Sequence, residues 1–257
     1  MRIEQFDTIR GISFVLMFIF HIFVVLNIFN KTSYSLSNPY LDIIGKVSRN
    51  TFVVLFGISL YLSYRNSKNE KDYKKKQIKR SFFLLLCGIY ITILTYMAVP
   101  DKYVVFGILH YLAIVVLILY NFVNNKLLLS IIFLITIFIQ NNYNSNYSYL
   151  PDKSITSFIK GISGLGFYKA SIDHFPILKW ISVTIFGILI GHFLFDTKII
   201  KDNKDNKNNK DNKDNKDPTS KNKEDNIFIK VLKYIGRNSL MLYIIHIPLL
   251  FYVIKKL

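Results

Sequence analysis

The chain is poor in cysteine, the residue that forms disulfides and many metal sites. Cys87 is its only cysteine in 257 residues, which excludes an internal disulfide and a cysteine metal site. Acidic residues are also scarce, at 16 against 33 Lys and Arg, and this leaves a formal net charge of +17. No basic patch is interleaved with aromatic residues as on a nucleic-acid-binding surface, so we expect no nucleic-acid partner.

Apolar residues, in contrast, are abundant. Hydrophobic residues make up 51% of the chain, aromatic residues 16%, and the mean hydropathy is +0.31, too high for a soluble domain of this charge. Apolar stretches long enough to cross a hydrocarbon core of roughly 30 Å recur, with Lys and Arg in the loops between them. The sequence therefore predicts an all-α polytopic membrane protein, a bundle of about seven transmembrane helices in the lipid bilayer. The predicted spans are residues 9–29, 43–64, 81–99, 104–122, 126–140, 175–195 and 238–254.

The loop between the second and third spans orients the bundle. Residues 65–80 carry eight Lys and Arg residues, and under the positive-inside rule this loop is cytoplasmic. The N-terminus is then cytoplasmic and the C-terminus extracytoplasmic, although Lys255 and Lys256 at that end conflict mildly with the rule.

A low-complexity tract separates the last two spans. Residues 201–217 read KDNKDNKNNKDNKDNKD, a composition that cannot bury a core. We expect a disordered cytoplasmic loop at 199–226 within a single transmembrane domain formed by residues 1–257.

Ionisable residues at membrane depth are the most informative feature, because such side chains are costly in lipid and usually face a protein interior or a wet cavity. His21 follows Arg10 by eleven residues, roughly 16 Å along a helix, and lies near mid-membrane. His192 is near the cytoplasmic end of its span and needs no functional role. The other residues of this kind are Arg49, His110 and His246 in the central and outer parts of their spans, and Asp173 and His174 at the outer mouth of the sixth span. Together they predict a pocket that opens outward.

Asp7 and Arg10 lie three residues apart and share a helical face at the cytoplasmic entry of the first span. Two interpretations stay open. The pair fixes the start of the helix as an interfacial ion pair, or Arg10 also offers its guanidinium to a phosphate from the cytosol.

Four stretches resemble, in the same order, the heparan-alpha-glucosaminide N-acetyltransferase catalytic-domain family of transmembrane acyltransferases. They are FDTIRGISFVLMFIFH at 6–21, FGILHYLAI at 106–114, DHFPILKWISVTIFGILIGHFLF at 173–195, and IGRNSLMLYIIHIP at 235–248. The resemblance implies a membrane-bound acetyltransferase that uses acetyl-CoA from the cytosol. The acceptor would be an amine or hydroxyl of a sugar or glycan on the other side of the membrane.

The resemblance also gives the candidate residues their roles. Because no histidine lies between His21 and His110, the loop histidine that serves the animal members has no counterpart here, and His21 is our first choice for the base. His110 shares that role, orients the acceptor or stabilises the oxyanion. Direct transfer and a covalent acetyl-histidine both remain open.

The other candidates divide between the two substrates. The acyl-CoA phosphates are expected at the cytoplasmic helix ends, although ordinary topology-setting charge also explains the arginines there. The acceptor is expected on the outer side, where a cross-helix ion pair is the alternative. The expected donor-binding residues are Asp7, Arg10, Arg80, Arg237, Asn238 and Ser239, and the expected acceptor-binding residues are Arg49, Asp173, His174 and His246. No metal is expected, and a homodimer is left open.

Two other classes of function stay open. Histidines at membrane depth on three helices, His21, His110 and His246, could ligate haem as bis-imidazole pairs in an electron-transfer protein. They could also relay protons in a transporter, although no internal duplication of the kind common in transporters is visible.

Overall fold

The chain folds into a helical bundle, seen in a computed structural model that describes residues 3–36, 38–143, 155–164, 172–208 and 226–257. Within these residues there are nine helices and no β-sheet, in agreement with the predicted all-α class. The helices are α1 (Glu4–Ile28), α2 (Pro39–Arg65), α3 (Glu70–Ala98), α4 (Ile108–Leu119), α5 (Lys126–Tyr143), α6 (Ile155–Ser163), α7 (Ile177–Asn208), α8 (Ile227–Arg237) and α9 (Ser239–Lys256).

Five of these helices are long and apolar enough to cross a membrane: α1, α2, α3, α7 over Ile177–Asp196, and α9. The fourth and fifth predicted spans coincide with two shorter apolar helices, Ile108–Leu119 and Lys126–Asn142. The predicted count of seven transmembrane helices is therefore not confirmed, although an apolar helix is present at each of the seven predicted places.

The fourth predicted span, 104–122, is shortened to the twelve residues of α4 because the chain before it is extended. Phe106 forms an isolated parallel bridge with His174, and the Phe175 amide donates to the Phe106 carbonyl at 2.9 Å. Nine of the twelve residues of α4 are buried, so this helix lies inside the bundle, where a full membrane-spanning length is not required.

Glycines allow two pairs of helices to approach closely. A Cβ on Gly57 or Gly187 would overlap a backbone carbonyl oxygen of the other helix, so α2 and α7 pack backbone to backbone. Likewise, a Cβ on Gly11 would overlap the Leu232 carbonyl oxygen and one on Gly236 the Asp7 carbonyl oxygen. The short helix α8, which the sequence analysis did not predict, is therefore seated directly on α1.

Two serines join α1 to α2 near the middle of the bundle. The Ser13 hydroxyl donates to the Ser48 carbonyl at 2.8 Å, and the Ser48 hydroxyl donates to the Ser13 carbonyl at 2.9 Å. Both serines are buried, so these reciprocal bonds fix the register between the two helices that carry Arg10, His21 and Arg49.

The segment predicted as a disordered loop, 199–226, is described only in part. Residues 199–208 belong to α7 and Asn226 caps α8, whereas 209–225 lie outside the described residues. Residues 65–80, with their eight Lys and Arg residues, lie at one end of the bundle, which we call the basic end.

Candidate functional site

A cavity of about 260 Å³ opens at the basic end of the bundle. Three arginines from three helices line it: Arg10 of α1, Arg80 of α3 and Arg237 at the end of α8. We call it the arginine cavity. Apolar side chains form much of the remaining wall, and its other lining residues are Phe52, Phe56, Ser59, Phe83, Leu84, Leu112, Gly236, Ser239 and Leu240.

A second, more open space of about 550 Å³ adjoins the arginine cavity, and we call it the vestibule. Arg10, Ser59 and Arg80 line both spaces, so the two lie side by side at the basic end. Lys76 and Asn66 add a further cation and an amide to the vestibule wall. A large cleft lined by several cations and hydroxyls can bind an extended anionic ligand.

Asp7 forms ion pairs with two of the three arginines of the arginine cavity. Its buried carboxylate is 3.4 Å from Arg10 Nη1 and 3.4 Å from Arg237 Nε, so it ties α1 to α8. Arg10 also donates from Nη2 to the Ser59 hydroxyl at 2.9 Å. Of the two interpretations left open for Asp7 and Arg10, the ion pair is present, and Asp7 also contacts Arg237.

Arg80 differs from the other two arginines. Its guanidinium carbon lies 4.2 Å from the centroid of the Phe56 ring. No carboxylate in the part of the chain that the structure describes makes an ion pair with it. A cation held over an aromatic face beside Arg10 favours an anion in the cavity, because like charges that share a site repel unless a counter-charge is bound.

The two remaining residues predicted at this end occupy different positions. Ser239, the first residue of α9, lines the arginine cavity. Asn238 lies at the junction of α8 and α9, where its side-chain amide donates to the Tyr234 carbonyl at 3.0 Å. It is not among the lining residues of the arginine cavity or the vestibule.

A smaller cavity of about 100 Å³ lies toward the opposite end, and we call it the histidine cavity. His21 of α1, Arg49 of α2 and Asp173, which precedes α7, line it together. The sequence predicted a pocket formed by six residues, and these three are the members of that set that line the cavity. Tyr243 of α9 also lines this cavity and was missed, although its position three residues before His246 places the two on one face of α9.

His21 contacts His246 directly. Nδ1 of His21 is 2.8 Å from Nε2 of His246, and Nδ1 of His246 is 3.1 Å from the Leu242 carbonyl oxygen. The two rings lie 20° from parallel with centroids 5.1 Å apart. His246 is buried among Phe14, Phe18 and Tyr243, so its ring orientation is fixed by packing.

Asp173 caps the N-terminus of α4. Its Oδ2 accepts from the Ile108 amide at 3.2 Å, and Gly107 is needed beside it because a Cβ there would lie 2.7 Å from the same oxygen. Burial raises the pKa of Asp173 from 3.8 to about 6, although the Ile108 amide and the nearby Arg49 oppose that rise. The carboxylate thus titrates close to neutral pH.

Two predicted residues lie outside the histidine cavity. His174 neighbours Asp173 but forms the bridge with Phe106 and is not a lining residue. His110 faces α3, where a Cβ on Gly88 would lie 3.0 Å from its ring, and its buried Nδ1 has no hydrogen-bond partner among the described residues. His110 lines none of the three cavities described above.

Only one helical turn separates the arginine cavity from the histidine cavity. On α2 the boundary falls between Arg49 and Phe52, and on α9 between Tyr243 and Leu240. On α4 it falls between Ile108 and Leu112. At 1.5 Å per residue, the nearest lining residues of the two cavities lie about 5 Å apart along these three helices, whereas on α1 Arg10 and Met17 lie about 10 Å apart.

These helices, cavities and convergent arginines are those of a membrane protein with a cavity toward each of its ends. A family model described as "Heparan-alpha-glucosaminide N-acetyltransferase, catalytic" matches residues 2–248, nearly the whole chain. The chain belongs to this family, as the resemblance of its four motifs predicts. No curated protein and no solved structure matches the chain.

Proposed function

We propose that the protein transfers an acetyl group from acetyl-CoA, bound at the basic end, to an amine or hydroxyl of a sugar acceptor bound at the opposite end. The observation that carries this proposal is the pair of cavities one helical turn apart, one lined by arginines and the other by a histidine. Direct transfer requires the partition to part so that the thioester carbonyl and the acceptor nitrogen or oxygen approach to about 3.5 Å, and neither substrate then has to cross the membrane.

In this proposal the arginine cavity and the vestibule hold the coenzyme. Arg10, Arg80 and Arg237 bind its phosphates, since planar guanidinium groups suit phosphate oxygens. Asp7 keeps Arg10 and Arg237 at the cavity, and Ser239 adds a hydroxyl. The apolar wall of Phe52, Phe56, Leu112 and Leu240 suits the less polar arm that carries the thioester toward the partition.

His21 is the general base of the proposed reaction. It takes a proton from the acceptor while the acceptor nitrogen or oxygen attacks the thioester carbonyl. The new C–N or C–O bond forms as the C–S bond breaks, and His21 returns the proton to the departing thiolate. Arg49, Asp173 and Tyr243, which share the cavity with His21, would orient the acceptor by charge and hydrogen bonding.

Binding of acetyl-CoA tests the donor half of this proposal. By calorimetry on the purified protein, Arg80→Ala should weaken binding by about tenfold or more, because a charge-assisted contact to phosphate is lost. Arg80 is the most suitable position, since no ion pair within the described part of the bundle is broken by its removal.

The matched control is Lys79→Ala, which removes the adjacent exposed cation that lines neither space at the basic end. The affinity of Lys79→Ala for acetyl-CoA should stay within about twofold of that of wild type, and so should the affinity of His21→Ala. A folded wild-type protein that binds no acetyl-CoA would refute the proposed function.

A proton-coupled transporter is the second candidate, because cavities at both ends with a thin partition are also what alternating access requires. Substrate-dependent proton flux into proteoliposomes without consumption of acetyl-CoA would favour it. The third class considered, a bis-imidazole haem protein, is not supported by the site. His21 and His246 are hydrogen-bonded to each other rather than facing across a space.

A further inference from the structure

His246 is a buried histidine that the proposed reaction does not yet use and that directly contacts the proposed base. The sequence analysis grouped it with the acceptor-binding residues, but it is not among the residues that line the histidine cavity. It lies behind His21, with its Nε2 at 2.8 Å from His21 Nδ1. Its position is therefore that of a group acting on the acceptor through His21.

The hydrogen bonds around the pair define which nitrogens carry protons. The Leu242 carbonyl oxygen can only accept, so His246 Nδ1, 3.1 Å away, must donate to it. In a neutral imidazole with its proton on Nδ1, Nε2 carries a lone pair and accepts. His21 Nδ1 is then the donor to His246 Nε2, and a neutral His21 has its lone pair on Nε2.

We infer that His246 is a positioning residue that holds His21 in the Nδ1–H tautomer and so directs Nε2 as the base toward the acceptor. This inference rests on the proposed function and deepens it. A histidine acts as a base only if the nitrogen that faces the substrate carries the lone pair. A second group that accepts a hydrogen bond from the other ring nitrogen keeps the proton there, and so leaves the lone pair on the nitrogen that faces the substrate.

The same contact stabilises the charge that develops during transfer. When Nε2 of His21 takes the acceptor's proton, the Nδ1–H of the imidazolium still donates to His246 Nε2. Proton transfer along that bond would place the charge on His246, whose Nδ1–H faces the Leu242 carbonyl dipole. Other charged or titratable groups at the pair are Arg49 from α2, Asp173 before α7, and Tyr243 from α9.

Two substitutions at position 246 distinguish a positioning role of His246 toward His21 from a role in packing alone. His246→Gln retains an amide oxygen that accepts from His21 Nδ1 and an NH₂ group that can donate to Leu242. His246→Leu keeps the apolar volume but accepts nothing. We expect kcat to fall by about tenfold or more in His246→Leu and to be largely rescued in His246→Gln. His192→Gln, which changes a buried and hydrogen-bonded histidine outside all three cavities, should stay within about twofold of wild type.

The readouts are nitrogen-15 NMR of histidine-labelled full-length protein in detergent and thiol release from acetyl-CoA with glucosamine as the probe acceptor. We expect the His21 signal to report the Nδ1–H tautomer in wild type and in His246→Gln, and a shift toward the other tautomer in His246→Leu. His21 protonated at Nε2 in the neutral wild-type protein would overturn the inference, whatever the activity. Equal kcat in His246→Leu and wild type would also overturn it.

Failure of the proposed function would look different. A wild-type protein with the Nδ1–H tautomer at His21 that binds no acetyl-CoA and releases no thiol would refute acetyl transfer, and the positioning role with it. The hydrogen-bond geometry would nevertheless be confirmed, so the two failures are distinguishable.

Discussion

Asp173 illustrates how one residue serves both fold and site. Its carboxylate caps α4 and lines the histidine cavity, and its pKa is raised by burial. The folded state thus holds the proton more tightly than the unfolded chain, whose aspartate has a pKa of 3.8. The stability supplied by protonated Asp173 is complete below about pH 4 and is lost as the pH rises through about 6.

Asp173→Asn should remove this pH dependence, because asparagine imitates the protonated carboxyl and still accepts from the Ile108 amide. We expect the variant and wild type to have similar melting temperatures near pH 4.5, with the variant more stable by a few degrees at pH 7.5. Thermal unfolding of both proteins in the same detergent over this range measures the difference. The difference in melting temperature, variant minus wild type, should be larger at pH 7.5 than at pH 4.5. A smaller difference at pH 7.5 would contradict the assigned titration.

The sequence could predict how deep in the membrane each residue lies, but not toward which neighbouring helix its side chain points. The positions of His21, Arg49 and Asp173 relative to their predicted spans placed them at compatible depths, and they do share a cavity. The same reasoning treated His110 and His246 alike. Packing turns His110 toward Gly88 on α3 and turns His246 toward His21, because the rotation of each helix is set by the neighbours it meets.

At the scale of elements, the crossing of α1 and α8 assembles the basic end. Gly11 and Gly236 let the two backbones touch, and this contact brings Arg237 to Asp7. The Arg-Gly pair of the opening motif therefore has two roles: Arg10 lines the arginine cavity, and Gly11 allows α8 to pack against α1. The sequence analysis missed α8 because it is short, amphipathic and preceded by a polar low-complexity tract, so no long apolar run marks it.

Gly236→Ala should displace α8 from α1, because the added methyl group would overlap the Asp7 carbonyl oxygen. We expect the Arg237–Asp7 ion pair to be lost and affinity for acetyl-CoA to fall about as much as in Arg237→Ala, by several-fold. Calorimetry on both variants makes the comparison. The matched control is Lys230→Ala, an exposed position on the same helix, and an equal loss of affinity there would show that α8 acts by charge alone.

At the scale of the whole molecule, the charge of the loops predicts that the basic end is cytoplasmic. Cys87 is buried and is the only native cysteine, so a Cys87→Ser background is suitable for accessibility labelling. With a membrane-impermeant maleimide on intact cells, Lys102→Cys should be labelled, and Lys75→Cys should be labelled only after permeabilisation. The reverse pattern would place the arginine cavity outside the cell, where cytosolic acetyl-CoA could not enter it.

The partition between the cavities has an electrical consequence. Because a cavity approaches it from each end, most of the membrane voltage would fall across this partition instead of a whole bilayer once both cavities are hydrated. In the proposed reaction, the proton that leaves the acceptor at one end reaches the thiolate of a coenzyme bound at the other. The acetyl group crosses the partition in the opposite direction and leaves its bonding electron pair on the sulfur, so it carries a formal positive charge outward that cancels the charge of the proton. Each turnover is therefore electroneutral, because a thioester becomes a thiol on one side while an amine or alcohol becomes an amide or ester on the other. A membrane potential, worth about 2.3 kcal/mol per elementary charge for every 100 mV, would not drive the net acetylation.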